Sequence, residues 1–226
     1  MDNQDFLSEE LIGTLQSLRH MVELEEYFAR DFLVPENPGH DKAVRLELLR
    51  RETADCKCCS LHQSRTKVVF GEGNPDAEIM FVGEAPGRDE DLAGRPFVGT
   101  AGQLLTKMIR AMGLRREDVF ITNVLRCRPP GNRNPLPEEV VCCRPYLFSL
   151  LRLIKPKVIC TLGKFAAHAL LNETQPITKI RGNFFECEGI KLMPTFHPAY
   201  LLRNPEDKKL VWQDLQKIMK FLKGGP

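Results

Sequence analysis

Apolar residues recur along this chain in two rhythms, and the rhythm changes near residue 54. Over residues 5–31, Leu7, Leu11, Leu15, Leu18 and Val22 return every three or four positions between charges, which predicts a helix. Residues 34–41 (VPENPGHD) read as a linker or tight turn, and residues 42–52 as a short second helix. Beyond residue 54, short apolar runs alternate with amphipathic stretches. Strands are predicted over 78–82, 119–123, 158–162 and 190–195, with an excursion at 184–187. Helices are predicted over 102–112, 136–154, 164–171 and 205–222. Pro137 at the start of the second of these and Gly113 after the first suit their ends. Such alternation predicts a parallel sheet with helices on both faces. Ligands of these sheets lie beyond the carboxyl ends of the strands. That selects the loops after Val82, Asn123, Leu162 and Thr195.

Composition narrows the class. With 226 residues, 42% hydrophobic and 27% charged, the chain can bury a core, which excludes wholesale disorder. No run approaches the roughly 18 apolar residues of a membrane span, and the acidic N-terminus lacks a basic region before an apolar run. A cytoplasmic protein is expected. The net charge of +2 conceals an asymmetry: residues 1–53 carry 12 acidic and 6 basic side chains, whereas residues 54–226 carry 18 acidic and 26 basic ones. A basic body points to a polyanionic ligand. The acidic extension, residues 1–53, reads as a helical cap, as a contact for a repair or replication partner, or as a shield over the basic face.

Eight cysteines bring in chemistry. Disulfides are rare in a cytosolic chain, so clustered cysteines read first as metal ligands or reactive groups. Cys56 and Cys59 form a C-x2-C pair, and Cys127 and Cys143 supply a distant second pair. Four soft ligands suit zinc or an iron–sulfur cluster, and spacing does not choose between them. Cys58 and Cys142 adjoin two of these positions, while Cys160 and Cys187 read as buried small hydrophobes.

Three loops carry candidate sites. Residues 83–102 (GEAPGRDEDLAGRPFVGTAG) hold five glycines, four acidic residues and Phe97; neither a P-loop nor a dinucleotide fingerprint fits them. Residues 122–135 (TNVLRCRPPGNRNP) place Asn123 at a strand end, where an amide can read a donor–acceptor edge. They also place Arg126, Arg128 and Arg133 on a stiff Pro-rich loop, a phosphate clamp. Residues 195–205 (TFHPAYLLRNP) set His197 beside an aromatic, two leucines and Arg203, a combination able to wedge into a base stack while holding phosphate.

These three loops in this order, with Cys56, Cys59, Cys127 and Cys143, closely resemble the family 4 uracil-DNA glycosylases, the iron–sulfur branch of that superfamily. The resemblance runs from about Ala54 to the C-terminus. It implies a three-layer α/β/α sandwich around a four-stranded parallel sheet, with the N-terminal helical extension outside it, and a [4Fe–4S] cluster on those four cysteines. It implies hydrolysis of the glycosidic bond of deoxyuridine in DNA, releasing uracil, which must be flipped from the duplex. No lysine stands out as a Schiff-base nucleophile, so a monofunctional enzyme without lyase activity is expected, acting as a monomer. Phe97 would stack on the base and Asn123 would pair with its O4/N3 edge. Glu90 would exclude the thymine methyl, and His197, as neutral imidazole, would stabilise charge on O2. Backbone at Glu84 and Ala85 would line the pocket. Ala85 stands where the family 1 branch has a water-activating Asp, which leaves Glu84 as the nearest acidic candidate and Asn123 the next. Arg128, Arg133, Tyr200, Leu201 and Arg203 would contact DNA. The basic, histidine-containing insertion of a covalently trapping relative is missing between Asp91 and Phe97. Competing readings are an inactive iron–sulfur DNA-binding protein and an electron carrier.

Overall fold

The computed structural model describes residues 41–171 and 174–224. The helix predicted over 5–31, and the predicted turn over 34–41 apart from Asp41, lie outside the described residues. The chain runs α1 (Lys42–Ala54), β1 (Glu72–Gly73), β2 (Ile79–Gly83), α2 (Arg88–Ala93), α3 (Thr100–Ala111), β3 (Phe120–Asn123), α4 (Pro137–Ile154), β4 (Val158–Leu162), α5 (Lys164–Leu171), α6 (Ile177–Ile180), β5 (Phe185–Cys187), β6 (Ile190–Thr195), α7 (Pro198–Arg203) and α8 (Lys208–Leu222).

The sheet order is β1-β3-β2-β4-β6-β5. The four central strands are mutually parallel, as the alternation predicts. Two short edge strands pair antiparallel, β1 on β3 and β5 on β6, so the sheet has six strands where four are expected. The residues read as an excursion at 184–187 are therefore mostly the edge strand β5.

Both faces of the sheet are covered, and side chains alternate between them. From β2, Met80 and Val82 join the core shared with α1, α4 and α5, whereas Ile79 and Phe81 join the core shared with α3 and α8. In β3 and β6 the alternation repeats, with Phe120 and Leu192 on one side and Ile121 and Met193 on the other. These strands, buried on both faces, read as continuous apolar runs. Asp41 caps α1 by accepting from the Ala43 N–H at 3.2 Å. Leu46 and Leu49 then carry α1 into the same core as α4. Among the described residues no helix is long and apolar enough to cross a membrane.

Candidate active site

The site forms where β2 and β3 end side by side. Gly83 and Asn123 are register partners, and the pairing continues into the loops, because Val124 N–H donates to Gly83 O and Leu125 N–H to Glu84 O. A Cβ at Gly83 would stand 2.4 Å from both Asn123 Oδ1 and Phe97 Cζ. Only a residue without a side chain lets the amide and the ring approach each other here. Asn123 is buried, and its Oδ1 finds no hydrogen-bond partner among the described residues. A buried acceptor left open in this way suits a ligand N–H.

Phe97 is held in the left-handed region at φ +51°, a strained setting for a bulky residue. Its loop is pinned from both sides. Arg116 donates to the Pro96 carbonyl and pairs with Glu72, which also binds Arg95. Gly102 abuts the Phe97 backbone so closely that any Cβ would overlap it. Glu90 accepts from the N–H groups of Gly87, Val98 and Gly99, at 3.1, 2.9 and 2.9 Å. Both its oxygens are spent on backbone. Its position is that of a clasp for the Phe97 loop, a role the motif alone does not disclose.

His197 stands at the other side, its ring centroid 5.8 Å from that of Phe97. It follows β6 and caps α7, Nδ1 accepting from the Ala199 N–H at 3.1 Å. An Nδ1 that accepts leaves the proton on Nε2, which is then a donor. Burial, helped by Arg203, lowers its pKa to about 4, so the ring is neutral at ordinary pH. Beneath it, Asp214 of α8 accepts from Thr195 Oγ1 at 2.6 Å and from Arg181 at 2.5 and 3.1 Å, which fixes the end of β6. Half-buried Glu84 begins the loop after β2. Burial raises its carboxyl to about 7, against the opposing charge of Lys164. Ala85 packs against the core beside it.

The DNA-facing expectations divide. Arg126, read as part of a phosphate clamp, is 1% exposed, and that reading is corrected: its guanidinium lies in the interior and reaches no solvent phosphate. Arg128 donates to Asn132 Oδ1 at 2.7 Å, and Arg133 pairs with buried Glu139 at 2.5 Å, so both shape the Pro-rich loop on which they ride. Leu201, read as a wedge, is likewise corrected, because it is 1% exposed and belongs to the core. Leu202 is the exposed apolar side chain of that turn, next to exposed Arg203. Tyr200 donates to Asp207 at 2.7 Å and lies against Phe196.

The cysteines resolve into groups. Cys58 and Cys142 form a disulfide, their Cα atoms 5.7 Å apart, against the expectation of no disulfide. Residues 84 apart in sequence meet here because α4 folds back over the turn that follows α1. Cys56, Cys59, Cys127 and Cys143 remain as thiols and line one cavity with Arg65, Arg126 and Tyr146. Arg65 donates to Cys127 Sγ at 3.2 Å. Among the described residues no three His, Cys, Asp or Glu side chains converge on a single-ion site. Cys160 is fully buried and Cys187 nearly so, both in strands, as small hydrophobes.

The chain that carries this site has counterparts among known proteins. Residues 70–216 match the model of the uracil DNA glycosylase superfamily. The type-4 uracil-DNA glycosylase of Thermotoga maritima is 47% identical over 182 residues, covering 79% of this chain and 95% of the relative. That of Archaeoglobus fulgidus is 49% identical over 181 residues (76% and 91%), and that of Sulfurisphaera tokodaii 48% over 182 residues (76% and 83%). The chain belongs to the uracil-DNA glycosylase superfamily, and within it to the type-4 family.

Proposed function

We propose that this protein excises uracil from DNA as a monofunctional type-4 glycosylase, and that Cys56, Cys59, Cys127 and Cys143 hold a [4Fe–4S] cluster. The observation that carries the first part is the open, buried Oδ1 of Asn123 facing the Phe97 ring. A flipped uracil stacked on Phe97 satisfies that acceptor with its N3–H, and the amide NH2 reaches O4. Cytosine presents an acceptor at N3 and a donor at C4, and mismatches both.

The reaction breaks the bond between N1 and C1′. The electron pair leaves with uracil, and its charge spreads to O2, where the Nε2–H of neutral His197 donates. Water adds to C1′ as the bond opens. Glu84, when ionised, takes its proton, because burial places the carboxyl near the working pH. Glu90 contributes to thymine exclusion by fixing the loop that carries Phe97. Leu202, with Arg203 and Tyr200, takes the place of Leu201 at the DNA, while Arg128 and Arg133 present the Pro-rich loop to phosphate.

Four thiols of the same soft chemistry in one buried cavity, beside a cationic side chain with open N–H groups, fit an anionic thiolate-bound cluster. When bound, the cluster supplies a cross-link between the turn after α1, the β3 loop and α4. The protein acts as a cytoplasmic monomer on uracil-containing DNA. Within residues 1–53, the described part α1 lays Leu46 and Leu49 into the α4 core, which favours a cap on the body over a partner contact.

Anaerobically purified protein is tested on a uracil-containing oligonucleotide, beside Asn123→Ala and His197→Ala. Strand breaks only after alkali, much slowed in both variants, support the reading. No uracil release from iron-loaded wild type overturns it.

A further inference from the structure

Arg126 is the largest fully buried side chain of the described residues. A guanidinium has five N–H donors and remains charged, so its burial calls for acceptors or an anion. Two of its nitrogens, Nε and Nη2, find no partner among the described residues. Nη1 alone is engaged, donating to Thr122 Oγ1 at 2.6 Å and to the Asn123 carbonyl. The Phe70 ring, 6.0 Å away, offers its face but no lone pair. Among the described residues no carboxylate pairs with Arg126, although eleven other cationic side chains lie within 4.0 Å of one. What Arg126 does border is the cavity lined by Cys56, Cys59, Cys127 and Cys143.

We propose that Arg126 is a positioning residue that serves as the buried counter-cation of the thiolate-bound cluster and couples that cluster to the Asn123 backbone. The proposal rests on the cluster reading given above. A [4Fe–4S] core with four thiolates is a net anion, and a buried cation at its edge stabilises it, more so in the reduced form, which carries one further negative charge. The open Nε–H and Nη2–H groups then have sulfur to face. As the described residues stand, neither group has a hydrogen-bond partner, and a lone buried cation destabilises the segment that carries it. Because the same guanidinium grips the Asn123 carbonyl through Nη1, losing it also loosens the residue that reads the base. The cluster's influence on the site is thereby mechanical and electrostatic, with no electron passing to substrate.

The test uses full-length, anaerobically purified protein as wild type, Arg126→Lys and Arg126→Met. Iron per chain, absorbance near 400 nm, rate of iron loss to a chelator and the cluster's midpoint potential are measured, with KM and kcat on a uracil oligonucleotide. Arg126→Met is expected to lose iron to chelator about tenfold faster or more. Its potential is expected to move downward, and KM to rise more than kcat falls. Arg126→Lys, which keeps the charge, is expected to hold a potential near wild type while its KM rises part of the way toward that of Arg126→Met. A Met variant with wild-type iron retention and potential overturns the proposal, even if its activity falls. A Met variant that fails to fold shifts the decision to Lys, whose potential must stay near wild type while its KM rises. Wild type without iron overturns the cluster reading itself and the proposal with it, whereas an iron-loaded wild type leaves that reading intact whichever way Arg126 falls.

Discussion

The carboxyl of Glu84 places a titration inside the working range of the enzyme. Its pKa stands at about 7 against an ordinary 4.5, because burial disfavours the carboxylate more than Lys164 restores it. If Glu84 accepts the proton of the attacking water, the ionised fraction sets the rate. That fraction is about 0.1 at pH 6 and about 0.9 at pH 8, so the single-turnover rate on saturating uracil-DNA should rise about ninefold between them. His197 adds no step in this range, since its ring is already neutral above about pH 4. Glu84→Gln should flatten the profile and lower the plateau by about 10²-fold or more. Lys164→Ala should move the midpoint upward, because the lost cation favours the carboxylate. Stability runs the opposite way. A folded carboxyl that keeps its proton to higher pH than the unfolded one makes the protein progressively less stable as pH rises from 4.5 toward 7. The assay is rapid-quench uracil release from pH 5 to 9 at constant ionic strength. A limb centred below pH 5, or one that persists in Glu84→Gln, would refute the assignment of Glu84 as base.

Three further outcomes follow from contacts. Gly83→Ala drives a methyl into Asn123 Oδ1 and Phe97, so activity should drop about 10²-fold for a loss of only about 1–3 kcal/mol of stability; equal activity in a quench assay would contradict the close approach. Asp214→Ala leaves Arg181 unpaired beneath β6, which should cost about 3 kcal/mol, or about 6–12 °C in Tm by calorimetry. Alkylation of the unfolded, iron-free chain without reductant should label six cysteines and leave Cys58 linked to Cys142 in the mass spectrum; eight labelled cysteines would remove that pair.

The parallel core was legible because its signal is local. Strands 158–162 and 190–195 and helix 164–171 are bounded by Pro, Gly or charge, and the structure keeps those bounds. Edge strand β1 and helices α2, α6 and α7 span two to six residues, too few for a hydrophobic period to register. The carboxyl-edge rule correctly brought Asn123, His197 and the Phe97 loop together, since it depends on strand order alone. What spacing does not contain is the direction of a side chain. Arg126 and Arg128 are two apart in one basic loop, yet only Arg126 turns inward. Leu201 and Leu202 are neighbours on one helical turn, yet one enters the core and the other faces solvent. Cys58 and Cys142 meet only because α4 crosses the turn after α1, a contact no local pattern encodes.

In the proposed reaction, recognition and anion stabilisation both fall to neutral groups, and each is held by a partner within the protein. Asn123 is held through its backbone carbonyl by Arg126, and its side-chain Oδ1 has no partner among the described residues. His197 is held through Nδ1 by the Ala199 N–H, which leaves the ring proton on Nε2. A cationic imidazole would pair as readily with any anion entering the pocket. A neutral one gains most when charge appears on O2 as the bond breaks, so its contribution is larger in the transition state than in the ground state. Burial secures that neutrality for His197, and the same effect on Glu84 keeps a second charge near its point of balance. The chemistry therefore depends less on which residues stand at the strand ends than on how dry the fold makes those ends, and a variant that admits water beside Phe97 should raise the His197 pKa and slow excision together.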